Sequence, residues 1–471
     1  MRGILDELPE TLDETYERVL RDINKANREH ARRLLQCLTV AVRPLRVEEL
    51  AEVLAVDFGA ARRGDVPKLK PDWRWADQHQ AVLSTCSSLI AIAGDGESQV
   101  VQFSHFSVKE FLISDRLSGS SRDVSRYHIL LPSAHTILAQ ACLGVLLCLD
   151  EQVDLENAKD IPLVGYAAQY WVDHAQFEDV SSQIRDVMEY FFDDDKPHWA
   201  AWLRVQNIDN SEESFTPDSE FAIFDADPLY YAALCGFYDS TEHLVAKNPE
   251  HLNARGGRMV TPLMAALYGK FFRVADLLHR HGADVNVRGN WEDTLLHVEC
   301  RKQTPQIDVV QWLLDHGVDV NAQNEASCVP LHFVADSGCL QLCRILLEHN
   351  VDINARSDSG DTPLHRAVAP HYFKDPRDRP PPDLLGIIQL LLDRGADVNA
   401  QTNDGSTPLH YSSRRECYGS STYGTVEGSR LLLEHGAKME VEDNEGKTSL
   451  QVALEAGRDD MVELLSSLGG N

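Results

Sequence analysis

Several short strings in this sequence hold residue types that could do chemistry, and each must be weighed with its surroundings. Asn444-Glu445-Gly446-Lys447-Thr448 contains the Gly-Lys-Thr of a phosphate-cradling loop. Such a loop needs another glycine five residues before Gly446, so that backbone amides can close around a phosphate, and position 441 is Val. His297-Val298-Glu299 has the spacing of a metal-bound His beside a general acid–base Glu, but no Pro-Cys-x-x-Cys follows to complete a zinc set. His105, with Ser104 and Ser107, places an imidazole near hydroxyls on what reads as a strand, without a paired acid or an oxyanion motif. Asp57-Phe58-Gly59 matches a magnesium-binding kinase triplet, yet neither a catalytic loop nor a Gly-rich loop accompanies it. Cys339 and Cys343 stand one helical turn apart with no neighbouring ligand set, and Asp193-Asp194-Asp195 reads as a solvated helix end. These strings predict no catalytic residue, no metal and no cofactor.

The elements that must position these groups explain most of them. From Pro228 onward one phrase returns seven times, at Pro228, Pro262, Leu295, Pro330, Pro363, Pro408 and Ser449. The intervals are 34, 33, 35, 33, 45 and 41 residues, a period near 33 broken by two insertions. A fixed period of this length predicts a stacked solenoid. In the best copies, Thr362-Pro363-Leu364-His365 and Thr407-Pro408-Leu409-His410, Thr is a helix N-cap and Pro fills the first helical position, where its missing N–H costs nothing. A second helix carries paired leucines, as in Leu277-Leu278 and Leu391-Leu392, and ends at Gly282, Gly317, Gly395 or Gly436, each suited to a left-handed C-terminal position. The chain then runs through phrases such as Ala396-Asp397-Val398-Asn399 into a finger turning at Asp404-Gly405 or Glu445-Gly446. His297, His332, His365 and His410 share one position in the repeat, where a ring is expected to bond backbone or a neighbouring repeat. The Gly-Lys-Thr string is the last finger and N-cap.

These residues closely resemble the ankyrin-repeat family, over roughly Ala222 to Leu468. The end copies, Asp227-Pro228-Leu229-Tyr230 and Thr448-Ser449-Leu450-Gln451, depart from the pattern, as the outer units of a solenoid must. The resemblance implies an α-solenoid whose fingers and first helices line a concave face that binds one or more proteins.

Upstream, helices are predicted from Leu8 to Leu20, Arg28 to Val42 and Val47 to Val56. A polar loop and a hairpin of Leu89-Ile90-Ala91-Ile92 and Val100-Val101-Gln102-Phe103 follow, the order of a winged helix. Leu8-Pro9-x-Thr11-Leu12, Arg43-Pro44-Leu45-x-x-x-Glu49-Leu50 and Phe103-Ser104-His105-Phe106-Ser107-Val108-Lys109-Glu110-Phe111-Leu112 resemble the winged-helix segment that follows the NACHT module in NACHT-ankyrin proteins of the STAND type, common in filamentous fungi. That resemblance implies a place in NACHT-type signalling. It also leaves an alternative, the regulatory C-terminal half of a nucleotide-switched ATPase whose module lies outside this chain, as either a natural truncation or an incomplete gene. DNA reading by the third helix is disfavoured, because Glu48, Glu49 and Glu52 would face phosphate.

Composition agrees. With 44 Lys plus Arg against 74 Asp plus Glu, the formal charge is −30, which repels nucleic acid and anionic membranes. No run approaches the length of a membrane span. Ten scattered cysteines and no export signal predict a cytoplasmic protein, with the nucleus as the alternative. The expected fold is mostly α: a winged-helix domain over 1–117, an acidic helical connector over 118–221, and ankyrin repeats over 222–471, with insertions near 370–385 and 414–428. Residues that the fold does not require, and that would therefore form the protein-binding face, are Arg288, Trp291, Arg301, Glu325, Asp336, Arg356, Asp358, Arg366, Tyr372, Phe373, Asp404, Tyr411 and Arg414.

Overall fold

The structure is a computed structural model describing residues 12–59, 66–86, 88–94, 96, 99–149, 161–193, 195–196, 198–205, 226–302, 304–369, 383–414 and 425–468. Tyr372 and Phe373, with most of both insertions and Leu8 to Thr11, lie outside the described residues. The chain forms two compact units, Met1–Ala283 and Asp284–Asn471.

The first unit begins with α1 (Leu12–Asp22) and α2 (Arg28–Val40), whose Ala31, Leu34, Leu35, Cys37 and Val40 are buried. Pro44 ends the helical run. A two-residue strand, β1 (Leu45–Arg46), leads into α3 (Val47–Val53). The sequence reading treats α3 as the third helix and the stretch after it as loop, but a further helix, α4 (Gln78–Cys86), precedes the hairpin and buries Ala81, Val82, Thr85 and Cys86. Its apolar stripe is only two turns long, too short to stand out by periodicity. The hairpin strands β2 (Ile90–Ala93) and β3 (Val100–Phe103) pair antiparallel, with Ile90 opposite Phe103 and Ala93 opposite Val100. β1 adds to the free edge of β3, giving the order β1-β3-β2. His105 is not on a strand. It is the N-cap of α5 (Phe106–Ile113), its ring accepting from the Ser107 amide.

The winged helix is locked by carboxylates on α3. Glu49 is fully buried and takes a two-pronged grip from Arg43, with both N···O distances 2.8 Å, and the Arg46 amide at 2.8 Å. Burial alone would push its pKa up. The Arg43 fork and the Arg46 amide outweigh that and hold it below the usual carboxylate range. Glu52, 1% exposed, is paired with Arg74. These glutamates are therefore interior groups, engaged by Arg43, Arg46 and Arg74.

After α6 (Asp115–Ser118) and α7 (Arg122–Ser125), α8 (Leu131–Leu146) and α9 (Val164–Ala175) form the core of the connector. Short helices α10 (Val180–Gln183), α11 (Arg185–Phe191) and α12 (His198–Val205) follow. Trp171 of α9 packs on Phe191 at 5.2 Å, Trp202 at 5.3 Å and Phe237 at 5.3 Å between ring centroids. Phe237 belongs to the first repeat, α13 (Pro228–Leu234) and α14 (Tyr238–Lys247), so the connector packs directly on it. Gln176 donates to the Cys235 carbonyl at 2.7 Å, and Lys247 reaches Asp193 at 2.7 Å. The second repeat, α15 (Pro262–Tyr268) and α16 (Phe272–Arg280), packs on the first within the same unit.

Among its described residues the second unit holds five helix pairs. They are α17 (Leu295–Arg301) with α18 (Ile307–Asp315), α19 (Pro330–Ser337) with α20 (Leu340–Leu347), α21 (Pro363–Val368) with α22 (Leu384–Asp393), α23 (Pro408–Ser413) with α24 (Thr425–Glu434), and α25 (Ser449–Ala456) with α26 (Asp459–Leu468). The first helices α17, α19, α21, α23 and α25 contact one another in that order. Leu296, Leu331, Leu364 and Leu409, all fully buried, fill the seams, each contributing about 1.5–3 kcal/mol relative to exposure. Gly282 in the first unit and Gly317, Gly395 and Gly436 in the second have φ of +97°, +80°, +91° and +89° at the ends of second helices, the left-handed geometry expected of them.

A candidate protein-binding face on the second unit

The face is built on a backbone relay. Each repeat histidine lies at the third position of its first helix. There Nδ1 accepts from the N-cap amide: Thr294 to His297, Val329 to His332 and Thr362 to His365 at 3.1 Å, and Thr407 to His410 at 3.2 Å. That acceptor role puts the proton on Nε2, which donates to a carbonyl of the following finger: Cys328 at 3.0 Å, Asp361 at 3.1 Å, Ser406 at 3.2 Å and Lys447 at 3.0 Å. Burial disfavours the charged ring and lowers the pKa of His297 and His332, and brings that of His365 to about 4. His297, His332 and His365 are thus neutral struts between repeats, and His410 makes the same two bonds.

A second ladder runs along the other end of each repeat, and sequence reasoning misses it. Asn286, Asn321, Asn354 and Asn399, each the last residue of an Asp-x-Asn phrase, use both ends of the side-chain amide. Their Oδ1 atoms accept from the amides of Asp319, Asp352, Asp397 and Lys438 at 2.7–2.8 Å. Their Nδ2 atoms donate to the carbonyls of Gly317, Asn350, Gly395 and Gly436. The signal was present as a polar residue repeated in a fixed frame. The fingers themselves are joined edge to edge, with Glu325 N bonded to Trp291 O at 2.9 Å, Asp358 N to Ala326 O and Asn403 N to Ser359 O at 3.0 Å, and Asn444 N to Asp404 O at 2.9 Å.

On this frame sits a row of side chains. Val298, Phe333, Arg366 and Tyr411 each follow a repeat histidine, so the stacked first helices bring them into line. Arg301 bonds buried Asp293 at 2.8 Å and lies over the Phe333 ring at 4.5 Å, with Trp291 at 5.8 Å beyond. Asp361, also buried, takes Arg366 at 3.0 Å on one oxygen and the Tyr411 hydroxyl at 2.7 Å on the other. Burial and that bond to Asp361 push the Tyr411 hydroxyl well above its ordinary pKa. Arg414 covers the Tyr411 ring at 4.8 Å and bonds Asp404 at 2.9 Å. Although burial pushes the Asp404 carboxyl up, Thr402 and Arg414 hold its pKa near 2. The result is an alternation of guanidinium and aromatic groups, each cation oriented by an acid beneath it.

Among the residues singled out from sequence, Trp291, Glu325, Arg356, Asp358, Asp404 and Arg414 are exposed, and Arg288, Arg301, Arg366 and Tyr411 are half-buried. Arg288 is held by the Gln323 carbonyl of the next finger, and Asp358 by Ser327. Asp336 is a correction: it is 3% exposed, enclosed among the stacked helices, and is not part of any surface. Phe333 and Val298 were missed, although their place one residue after the histidine identifies them. Trp291 stands apart. Its side chain is 56% exposed and its φ is +55°, a left-handed backbone that a bulky residue rarely adopts.

The strings that suggested chemistry have structural employment. Glu299 is 1% exposed, paired with Lys302 at 2.5 Å and accepting from the Gln306 amide at 3.1 Å. Lys447 reaches Glu455 at 2.6 Å and Glu445 at 2.9 Å. Burial pushes the Cys343 thiol up to about 12, away from the thiolate a metal requires. Among the described residues no group of three or more His, Cys, Asp or Glu is placed to hold a metal, and no helix is long and apolar enough to cross a membrane. The helix preceding the hairpin, α4, has no Lys or Arg to offer a phosphate backbone.

The family comparisons agree with this anatomy. Ankyrin-repeat models match residues 229–324, 296–374 and 383–471, and a single-repeat model matches 359–403; together they run through more than half of the chain. A model described as GPI inositol-deacylase, winged helix domain matches 17–123. The chain is 31% identical over 298 residues to the azaphilone pigments biosynthesis cluster protein L of Monascus ruber, covering 60% of this chain and 61% of that protein. It is 33% identical over 117 residues to alpha-latrocrustotoxin-Lt1a of Latrodectus tredecimguttatus, covering 22% of this chain and 8% of the toxin. The chain therefore spans less than two thirds of either relative. With repeat helices, histidine struts and fingers in place, and a winged helix ahead of them, the chain belongs to the ankyrin-repeat proteins.

Proposed function

We propose that this protein is a non-enzymatic interaction scaffold that binds a partner protein across the finger and first-helix face of its second unit. The observation that carries the reading is Trp291, an exposed indole on a strained backbone at the end of the row Arg301, Phe333, Arg366, Tyr411 and Arg414. Strain held at a surface position is a mark of function, and Trp, Tyr and Arg are the side chains that anchor interfaces. The row is held in place by Asp293 and Asp361, so little side-chain freedom is lost when a partner docks.

The test is a footprint. A partner captured by the full chain and identified by mass spectrometry is titrated back, and amide exchange is followed. Slowed exchange in the finger carrying Trp291 and in α17, α19, α21 and α23 is the expected result. Slowing confined to the second helices, or to the first unit, defeats the proposal. A role within NACHT-type signalling, in the cytoplasm, is the finer reading, and what supports it is the winged-helix domain beside the repeats.

A further inference from the structure

We infer that the first unit carries an anion site, formed where α2, α7 and α8 meet, that takes the phosphate group of a small phosphate monoester. A cleft of about 300 Å³ is lined there by Arg32, Gln36, Ser125, Arg126, His128, Leu130 and Ser133. It is independent of the repeat face and of the interaction proposed for it.

Three observations converge. First, the lining has two guanidiniums, an imidazole, an amide and two hydroxyls but no acid, in a chain of net charge −30. An acid-free pocket runs against that background and is therefore informative. Second, one of the pocket's two arginines is not engaged by the described fold. Arg32 has no hydrogen-bond or ion-pair partner among the described residues, and its Nε is enclosed without an acceptor. An anion in the cleft would give the outer nitrogens of that guanidinium a charged partner that the described fold does not supply. The His128 ring likewise has no bonding partner among the described residues. Arg126 is turned toward Asp123, at 2.8 Å, a carboxylate that also takes Arg28 and lies outside the lining. Third, the floor is built and rigid. Gln36 is 2% exposed and its amide donates to the Ser133 hydroxyl at 3.4 Å, tying α2 to the first turn of α8. That turn has no side-chain cap, so its amide dipoles add to the positive field.

The donor count favours phosphate over carboxylate. Arg32 and Arg126 reach the cleft from different elements, and the imidazole and hydroxyls add further donors. A carboxylate has two oxygens to satisfy them, whereas the terminal group of a phosphate monoester has three, spread tetrahedrally. The cleft is several times larger than a phosphate, and Leu130, 61% exposed, supplies an apolar wall for the organic part of an ester. A bound ester would clamp the winged helix, through α2, to the start of the connector.

The experiment uses the full chain, with calorimetric titration of inorganic phosphate, glycerol 3-phosphate and AMP against chloride and citrate at matched ionic strength. The phosphates are expected to bind, and Arg32→Gln to weaken them about tenfold or more, the loss expected for a charge-assisted pair. Arg122→Gln, an exposed arginine on α7 outside the cleft, should leave binding within about twofold, a small change on the affinity scale. Because Arg32 has no partner among the described residues, Arg32→Gln should fold with unchanged circular dichroism. Should it not, Arg126→Gln serves in its place, since its partner Asp123 is exposed. Tighter binding of an ester than of inorganic phosphate assigns the site to a metabolite, and equal binding assigns it to free phosphate. Phosphate binding no better than chloride, stronger binding of citrate, or wild-type phosphate affinity in both variants overturns the inference.

Discussion

His365 shows how much one side chain does here. Its Nδ1 satisfies the Thr362 amide and its Nε2 satisfies the Ser406 carbonyl, so replacement by Ala leaves two buried backbone groups unpaired and should cost about 1–3 kcal/mol in denaturant unfolding. Gln is a sharper probe, because Gln451 already caps Thr448 in the last repeat, its Oε1 accepting from that amide at 2.8 Å. His365→Gln should keep the cap, lose the link to Ser406 and cost about 1 kcal/mol. The pH response follows from the sign of the shift. The ring titrates near 6.5 when unfolded and near 4 when folded, so its contribution is complete above pH 6.5 and is lost as pH falls toward 4. Unfolding curves of wild type and His365→Gln at pH 7 and pH 4.5 should show a smaller acid loss in the variant; equal losses would mean the ring is not the group responding. Glu49 gives a matching test in the first unit. Glu49→Ala strands Arg43 and the Arg46 amide, and because both arginines are partly exposed the expected loss is about 1–3 kcal/mol rather than the larger cost of a fully enclosed charge. The role of the repeat histidines was legible from their shared place in the phrase. That Glu49 and Glu52 point inward was not, because α3 is too short for its helical period to say which side is buried, and both were read as facing outward.

At the scale of elements, the repeat depends on what joins one helix pair to the next. Asn354→Ala removes the bond to the Asp397 amide at 2.8 Å together with the weaker one to Gly395, and should destabilise by about 1–2 kcal/mol. Amide exchange should rise at Asp397 before it rises in α22; no local rise would show that the ladder is not holding the repeats together. The helices with caps, prolines and paired leucines could be placed from sequence because each signal has a local cause. α4 could not, since a two-turn helix of Gln, His and small apolar residues has no long stripe, and its one start signal, the Asp77 carboxylate accepting from the Gln80 amide at 2.9 Å, is a residue type equally common in loops. Its presence changes which helix would face DNA, and it brings no cation to that role. The Asn ladder was equally invisible as chemistry: its donors and acceptors meet only when successive repeats stack, which no single repeat specifies. Phe333 and Val298 lay in plain register after their histidines, while Asp336, judged by its polarity, proved to be interior.

In the whole molecule the two units carry different features. The first unit joins a winged helix to a connector and two repeats, and the second presents the arginine–aromatic row. The ankyrin-repeat character of the chain rests on repeated, physically explained motifs and on family models matching the same span. The partner is a matter for experiment, since function lives in side chains that the fold leaves free. The most direct measurement is the affinity of the captured partner for three forms of the full chain: wild type, Trp291→Ala and Trp75→Ala. Trp75 is the matched control, an indole 40% exposed on the first unit. The account predicts that Trp291→Ala weakens binding by about tenfold or more, some 1.4 kcal/mol, while Trp75→Ala leaves it unchanged. Equal affinity of Trp291→Ala and wild type, or a loss seen only with Trp75→Ala, would contradict it.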